Sequence, residues 1–491
     1  MSLDVRAALF QAPRDGAWAG LLLALVLGFS LAVLTVVSPL AGVAGATALG
    51  GVFWLAGHPQ AMLLFFFASL AIPVQKTLVG LPLNVADGLL VLWCVFWPFM
   101  MRRDDAPALQ RWRVPTLVWA IVPFVLAVVV AQVDSISQLA SLKQGLRIVE
   151  WFVVLPVLLM VFVPRPHFWR FASVALLLVP CFFAIDGLVE VATGGRSLTG
   201  MLGIPPPIPP GDAEQIRHTF DVSGRAGSAF GGAQGLAMYL VMTMSVAIAH
   251  LLHAPERWLR WTAALSLAIC LAGLAATQSR GGVLGALALG LVMAMVAGPT
   301  ARRFLAAALL LGAVVAGGGL TLWPGWDGSL ASLVPGRQEA VLDRLIIWGV
   351  VRDVFVDNPL TGVGLGNFRD EFFARGAWLN VELGYASVHA HNTYLEILAG
   401  TGVLGLGSYV AFLLVVATRL ARLWRDGSSS NPVFTYAAIG TLAAYAVFAM
   451  VDMLLLQNMH FLLVLLLSLG LTRSDVAALG LGGASDEEAA K

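Results

Sequence analysis

Two histidines, an asparagine and a glutamate stand at the edge of a long apolar run in VHAHNTYLEILAGTGVLGLG (388–407). Imidazole titrates near neutral pH, so His389 or His391 is suited to take a proton from a hydroxyl group. Asn392 and Glu396 lie one helical turn apart and are candidates to orient the imidazole or the group it deprotonates. The structural alternative is that these residues only punctuate a helix end. Gly400, Gly402, Gly405 and Gly407 thin the helix that follows and permit close packing beneath the histidines.

Cations that could meet a developing negative charge occur elsewhere. In SRGG (279–282), Arg280 sits between two apolar runs with almost no loop, and Gly281 and Gly282 open the next helix. A guanidinium beside exposed helix N–H groups makes a cradle for phosphate, whereas the bland reading is an arginine reaching for lipid headgroups. Arg225 precedes a helix in the same way, in SGRAGSAFGGAQGLAMYL (223–240). Lys143, Arg147 and Glu150 share one helical face, with Arg147–Glu150 read as an ion pair and Lys143 as a ligand contact. Asp186 and Glu190, one turn apart, suit either a structural role or sugar hydroxyls and cations.

The elements that position these groups are membrane helices. Of 491 residues, 59% are hydrophobic and 12% charged, which makes lipid the solvent for most of the surface. Continuous apolar runs such as 18–37, 114–131 and 434–451 match a hydrocarbon core spanned by about 20 helical residues. The alternation of a β-barrel is absent, so the fold class is an all-α polytopic membrane protein with about 12–14 spans. Expected cores are 18–37, 40–56, 61–74, 85–101, 114–131, 146–163, 171–191, 230–252, 260–277, 282–298, 303–322, 392–417, 433–451 and 454–471. The first of these reads as a retained anchor, because it is long and lacks a small-residue cleavage site. Net charge is +1, which argues against nucleic acid as a partner. Cys94, Cys181 and Cys270 lie inside apolar spans and read as packing residues.

Short basic connections at 101–113, 164–170, 253–260, 299–303 and 419–426 go to the cytoplasm by the positive-inside rule. Alternation then places 38–39, 75–84, 132–145, 192–229, 278–281, 323–391 and 452–453 outside. Arg196, Arg217, Arg225, Arg280, Arg337, Arg344, Arg352, Arg369 and Arg375 therefore gather on the outer face, as if for an anionic ligand. Segment 192–229 carries IPPPIPP (204–210), a stiff strut. Segment 323–391 holds RQEAVLDRLIIWGVVRDVF (337–355), an expected interfacial helix with Arg337, Arg344 and Arg352 on one face. Its GVGLG (362–366) follows no strand and reads as a tight turn rather than a nucleotide loop.

Together these motifs resemble the O-antigen ligase and O-antigen polymerase superfamily of bacterial envelope glycosyltransferases. His391-Asn392, nine residues, Gly402, two residues and Gly405 match the ligase motif in full. SRGG is similar to the family's Ser-Arg-Gly segment, and RAGSAFGGAQGLAMYL to its Arg-x-x-Gly segment, although Gly-Gly-Ala-Gln (231–234) replaces the usual Pro-Asn. RLIIWGVVRDVFVDNPLTGVGLGNF resembles the family's Arg…Trp…Pro-x-x-Gly-x-Gly pattern. The likeness spans about 140–420.

The resemblance implies metal-independent, inverting transfer of a glycan from an undecaprenyl-pyrophosphate donor, with no cofactor. It makes His391 the base and Arg280 and Arg225 the pyrophosphate ligands; His389, Asn392, Glu396, Lys143, Arg147 and Arg344 are read from their own positions as supporting residues. The acceptor is lipid A–core for a ligase and another lipid-linked glycan for a polymerase, and a small-anion transporter is the competing class. The expected setting is the bacterial inner membrane, in contact with lipid, with the site facing the periplasm. The expected organisation is N-terminal spans (1–139), a catalytic membrane region (140–420), C-terminal spans (421–472) and a polar cytoplasmic tail (473–491).

Overall fold

The computed structural model describes residues 75–78, 81–84, 90, 94, 115–159, 166–201, 224–230, 232–298, 303, 338–376, 389–429, 431–454 and 459–472. The expected spans 18–37, 40–56 and 61–74 lie outside the described residues, as do nearly all of 85–101 and 303–322, the proline cluster 204–210, Arg217, Arg337 and the tail. Contacts divide the chain into two units, 1–63 with 92–100 and 64–91 with 101–491. Every element named below belongs to the second.

The described chain is helical apart from one hairpin, β1 (Gln75–Leu78) paired antiparallel with β2 (Leu81–Asn84), in the segment read above as an outer connection. The helices are α1 (Thr116–Val130), α2 (Gln138–Val149), α3 (Leu155–Leu159), α4 (Pro166–Ala192), α5 (Leu198–Met201), α6 (Ala233–His253), α7 (Arg257–Thr277) and α8 (Arg280–Val296). They continue as α9 (Gln338–Asp357), α10 (Phe368–Ala374), α11 (Thr393–Asp426), α12 (Pro432–Phe448) and α13 (Met459–Gly470). Residues 169–192, α6, α7 and α11 are long and apolar enough to cross a membrane, and α1, α8, α12 and α13 are shorter apolar helices. Two details add to the expected spans. The connection 132–145 is largely helix, because Ser137 caps α2 by accepting from the Ala140 N–H. Residues 150–154 form a π-helical turn between α2 and α3; Pro156 follows closely, and its missing N–H and bulky ring disfavour regular hydrogen bonding across that turn.

The core is built around α6, whose side chains are buried almost from end to end. It packs against α4, α7, α8 and α12. Small residues allow this: a Cβ on Gly273 would strike Ala184 of α4, and one on Gly282 would strike Leu274 and Ala237. Without a hydrophobic drive between helices in lipid, such close backbone approach supplies the attraction.

One membrane-length helix is broken. Within α11, Gly402 has φ 61° and ψ −162°, a conformation open essentially only to glycine. The helix was expected to be thin here; it is interrupted instead. The connection after α9 fills the gap. Val403 and Leu404 donate to the carbonyls of Pro359 and Leu360, and Val363 donates to the Ala399 carbonyl. Backbone groups freed inside an apolar layer must find such partners. Gly362, Gly364 and Gly366 all have positive φ, so GVGLG is a tight turn as read. It lies between Ala399–Thr401 of α11 on one side and Ser135 and Gln144 on the other.

Gly402→Ala forces a Cβ into the Leu360 carbonyl as well as a disfavoured backbone. It is expected to cost more than about 2 kcal/mol, read as a large fall in the thermal midpoint in detergent. Gly407→Ala, where nothing lies within 4 Å, should leave the midpoint unchanged or slightly raised.

Candidate active site

The site gathers at one end of the helix bundle, where α7 ends, α8 begins, α11 begins and α12 ends. Its centre is the start of α11. Asn392 caps this helix, its Oδ1 accepting from the N–H groups of Tyr394 (3.0 Å) and Leu395 (3.1 Å), while its Nδ2 donates to the Met450 carbonyl (2.9 Å). Thr393 donates through its N–H to the Ala449 carbonyl (2.8 Å) and through Oγ1 to the Asp452 carbonyl (2.9 Å), and accepts from the Leu454 N–H. Glu396, buried, accepts from the Ala390 N–H at 2.9 Å. The Ala390 carbonyl accepts from Trp348 Nε1 of α9, also at 2.9 Å. The backbone between the two histidines is thus held from both sides. Asn392 and Glu396 do this work on the main chain and not on the imidazole.

These ties leave His391 with φ 46°, a left-handed conformation rare for a side chain other than glycine. Such outliers persist only where surrounding contacts over-determine them. The ring stands perpendicular to that of His389, centroids 4.1 Å apart. Its Nδ1 lies 3.9 Å from Oδ1 of Asp452, with side-chain exposures of 24% and 7%. At that separation the two approach without a direct hydrogen bond. Burial pushes the His391 imidazole down to about 3, and His389 and the Arg344 charge push the same way. Burial raises the Asp452 carboxyl to about 6, against the pull of the Met453 N–H and Arg344. The resting pair is therefore a neutral imidazole facing a carboxyl group that ionises near pH 6, rather than a standing ion pair. Burial lowers His389 as well.

The arginines arrive through the turn between α7 and α8. Arg225 donates from Nε to the Thr277 carbonyl (2.9 Å), and Ala226 donates to the Ala276 carbonyl (3.0 Å). Asp186 and Glu190 of α4 fix this segment: Glu190 accepts from the N–H groups of Gly227 (2.8 Å) and Ser228 (2.7 Å), and Asp186 accepts from the Ser228 and Thr199 hydroxyls. Both carboxylates thus spend their acceptors on structure, the bland alternative of the sequence reading. Arg280, exposed, opens α8 two residues after Gln278. The expected cradle of free N–H groups is smaller than supposed, because Ser279 already accepts from the Gly282 N–H. A Cβ on Gly281 would meet Val451 and Phe448. The Arg280 turn therefore rests on the connector that carries Asp452, and Arg225 is tied to the end of α7 just before that turn.

Arg344 of α9 is half-buried and acts electrostatically on His389, His391 and Asp452. The stripe it was expected to share is divided: Arg352 is exposed and paired with Asp353, and Ile347, Val350, Val351 and Val354 are buried with Phe368 and Phe372 of α10. Lys143 and Arg147 are half-buried on α2 beside Gln144, which packs under Gly366. This stretch of α2 thus runs beside the glycine turn. Asp452 was missed in the sequence; its signal was a lone carboxylate in the short break between two apolar runs, 433–451 and 454–471.

Residues 265–410 match the family model described as O-antigen ligase. The match takes in Arg280, Arg344, His391, Asn392 and Gly402, and stops short of Arg225 and Asp452. No curated protein matches the chain. Asn392→Ala removes both the cap and the tie to Met450 and should lower stability by about 1–2 kcal/mol, measured as a fall in thermal midpoint; Asn392→Asp should recover the capping share.

Proposed function

We propose that the chain is a membrane glycosyltransferase of the O-antigen ligase type. It would move a glycan from undecaprenyl pyrophosphate to an acceptor hydroxyl on the periplasmic face of the bacterial inner membrane. The observation that carries this reading is the backbone-locked His391 beside buried Asp452, with the turn that bears Arg280 resting on the connector that holds Asp452.

In this reading His391 takes the proton of the acceptor hydroxyl as its oxygen attacks the anomeric carbon, inverting that centre. The bond from the anomeric carbon to the phosphate oxygen breaks, and the leaving pyrophosphate keeps the electron pair. Pyrophosphate needs no protonation to depart, so a base and a cationic clamp suffice. Arg280 and Arg225 would receive its charge, and planar guanidinium groups suit that task through paired hydrogen bonds. Asp452, once ionised, stabilises the imidazolium that forms. The Arg344 charge favours the neutral imidazole before the reaction. The acceptor in this proposal is lipid A–core; a polymerase would use the same groups on a second lipid-linked glycan.

Transfer of a lipid-linked glycan in reconstituted vesicles tests the assignment. His391→Ala should lower the rate by about 10²–10⁴-fold, the range of a lost general base, and full transfer by this variant would end the proposal. Arg280→Lys should also fail, since a point charge cannot replace a fork. The pH profile should follow Asp452: the rate rises as pH passes through about 6, and Asp452→Asn abolishes that limb.

A further inference from the structure

The same corner of the molecule holds a second kind of chemistry. His389, His391 and Asp452 each offer one ligating atom, and these atoms all lie within 4.8 Å of one another. Two imidazole nitrogens with one carboxylate oxygen form a donor set suited to zinc and its neighbours in the first transition row. Two buried atoms of the cluster have no hydrogen-bond partner, Nδ1 of His389 and Oδ2 of Asp452. Unpartnered polar atoms in a buried setting are costly and call for an explanation. Main-chain bonds hold both sides: Thr393 ties α11 to the Asp452 carbonyl, and Glu396 ties the Ala390 N–H between the histidines. Zinc ligands stand roughly 3.3 Å apart in a tetrahedral site with bonds of about 2.0–2.1 Å. Closing the cluster from separations within 4.8 Å therefore brings the ligating atoms together by up to about 1.5 Å.

We propose that His389, His391 and Asp452 form a binding site for a zinc-like divalent cation, and that its occupation silences transfer by engaging the nitrogen of His391. The first half stands on the cluster alone; the second rests on His391 being the base. A ligand nitrogen cannot accept a proton while its lone pair is held by the metal, so the bound form is inhibited. Arg344 opposes the cation, because its charge already bears on all three ligands. Binding is therefore moderate and reversible, and removing that charge tightens it.

The test uses the full-length protein in detergent, washed with chelator and titrated with Co²⁺ as a coloured substitute for Zn²⁺. One equivalent should produce the visible d–d band of a cobalt site with few ligands, and Zn²⁺ should displace it. His389→Ala and Asp452→Asn should each weaken Co²⁺ binding at least tenfold, while Arg344→Gln should tighten it several-fold, a gain that misfolding cannot mimic. Absence of the band overturns the site, as does a band of unchanged affinity in both ligand variants. In vesicles, Zn²⁺ should stop transfer and EDTA restore it. Zn²⁺ bound through these residues with transfer unaffected would overturn the inhibition and, separately, the assignment of His391 as base.

Discussion

The short connector between α12 and α13 accepts the backbone of Thr393, and the functional geometry depends on this tie. Through the Ala449 and Asp452 carbonyls it fixes where α11 starts, and with it the left-handed backbone of His391. The same connector brings the Asp452 side chain opposite the imidazole and, through Val451, receives the Arg280 turn. Apolar helices in lipid have little to specify their relative depth. A few backbone hydrogen bonds at a buried helix end do specify it, since leaving them unmade would cost several kcal/mol each.

A second constraint acts from below. The break at Gly402 would expose main-chain groups, and the 359–363 segment satisfies them. That segment belongs to the long connection whose helix α9 also holds the Ala390 carbonyl through Trp348. The connection is thus anchored at two places, between the two histidines just before α11 and at the break within it. Arg344 is carried to the site by this double anchoring.

Much of this was legible in the sequence because it depends on local chemistry. The positions of α1, α4, α6, α7, α8, α11, α12 and α13 follow from apolar run length, and the SRGG turn and the histidine segment announce themselves at the ends of runs, whereas α5 and α10 lie in connections with no such run. What could not be read depends on contacts between distant segments. Glu396 was a candidate to orient the imidazole or the acceptor, and its bond to the main-chain N–H of Ala390 could not be read from its spacing. Gly402 read as a motif position and one of several small packing residues, and its left-handed backbone and the approach of Leu360 are what distinguish it from Gly407. Asp452 sits in a break too short to attract notice, and its value comes from what α11 places opposite it. Asp186 and Glu190 look like a ligand pair until Ser228 and Gly227 fold onto them.

The central claim is that His391 and Asp452 act as one proton-handling unit, and a double-mutant cycle on glycan transfer measures it most directly. If the carboxylate works only through the imidazole, adding Asp452→Asn to His391→Ala should leave the residual rate of the single His391 variant unchanged, a strongly non-additive result. Losses that multiply, with the double variant slower by the full product of the two single effects, would contradict the account.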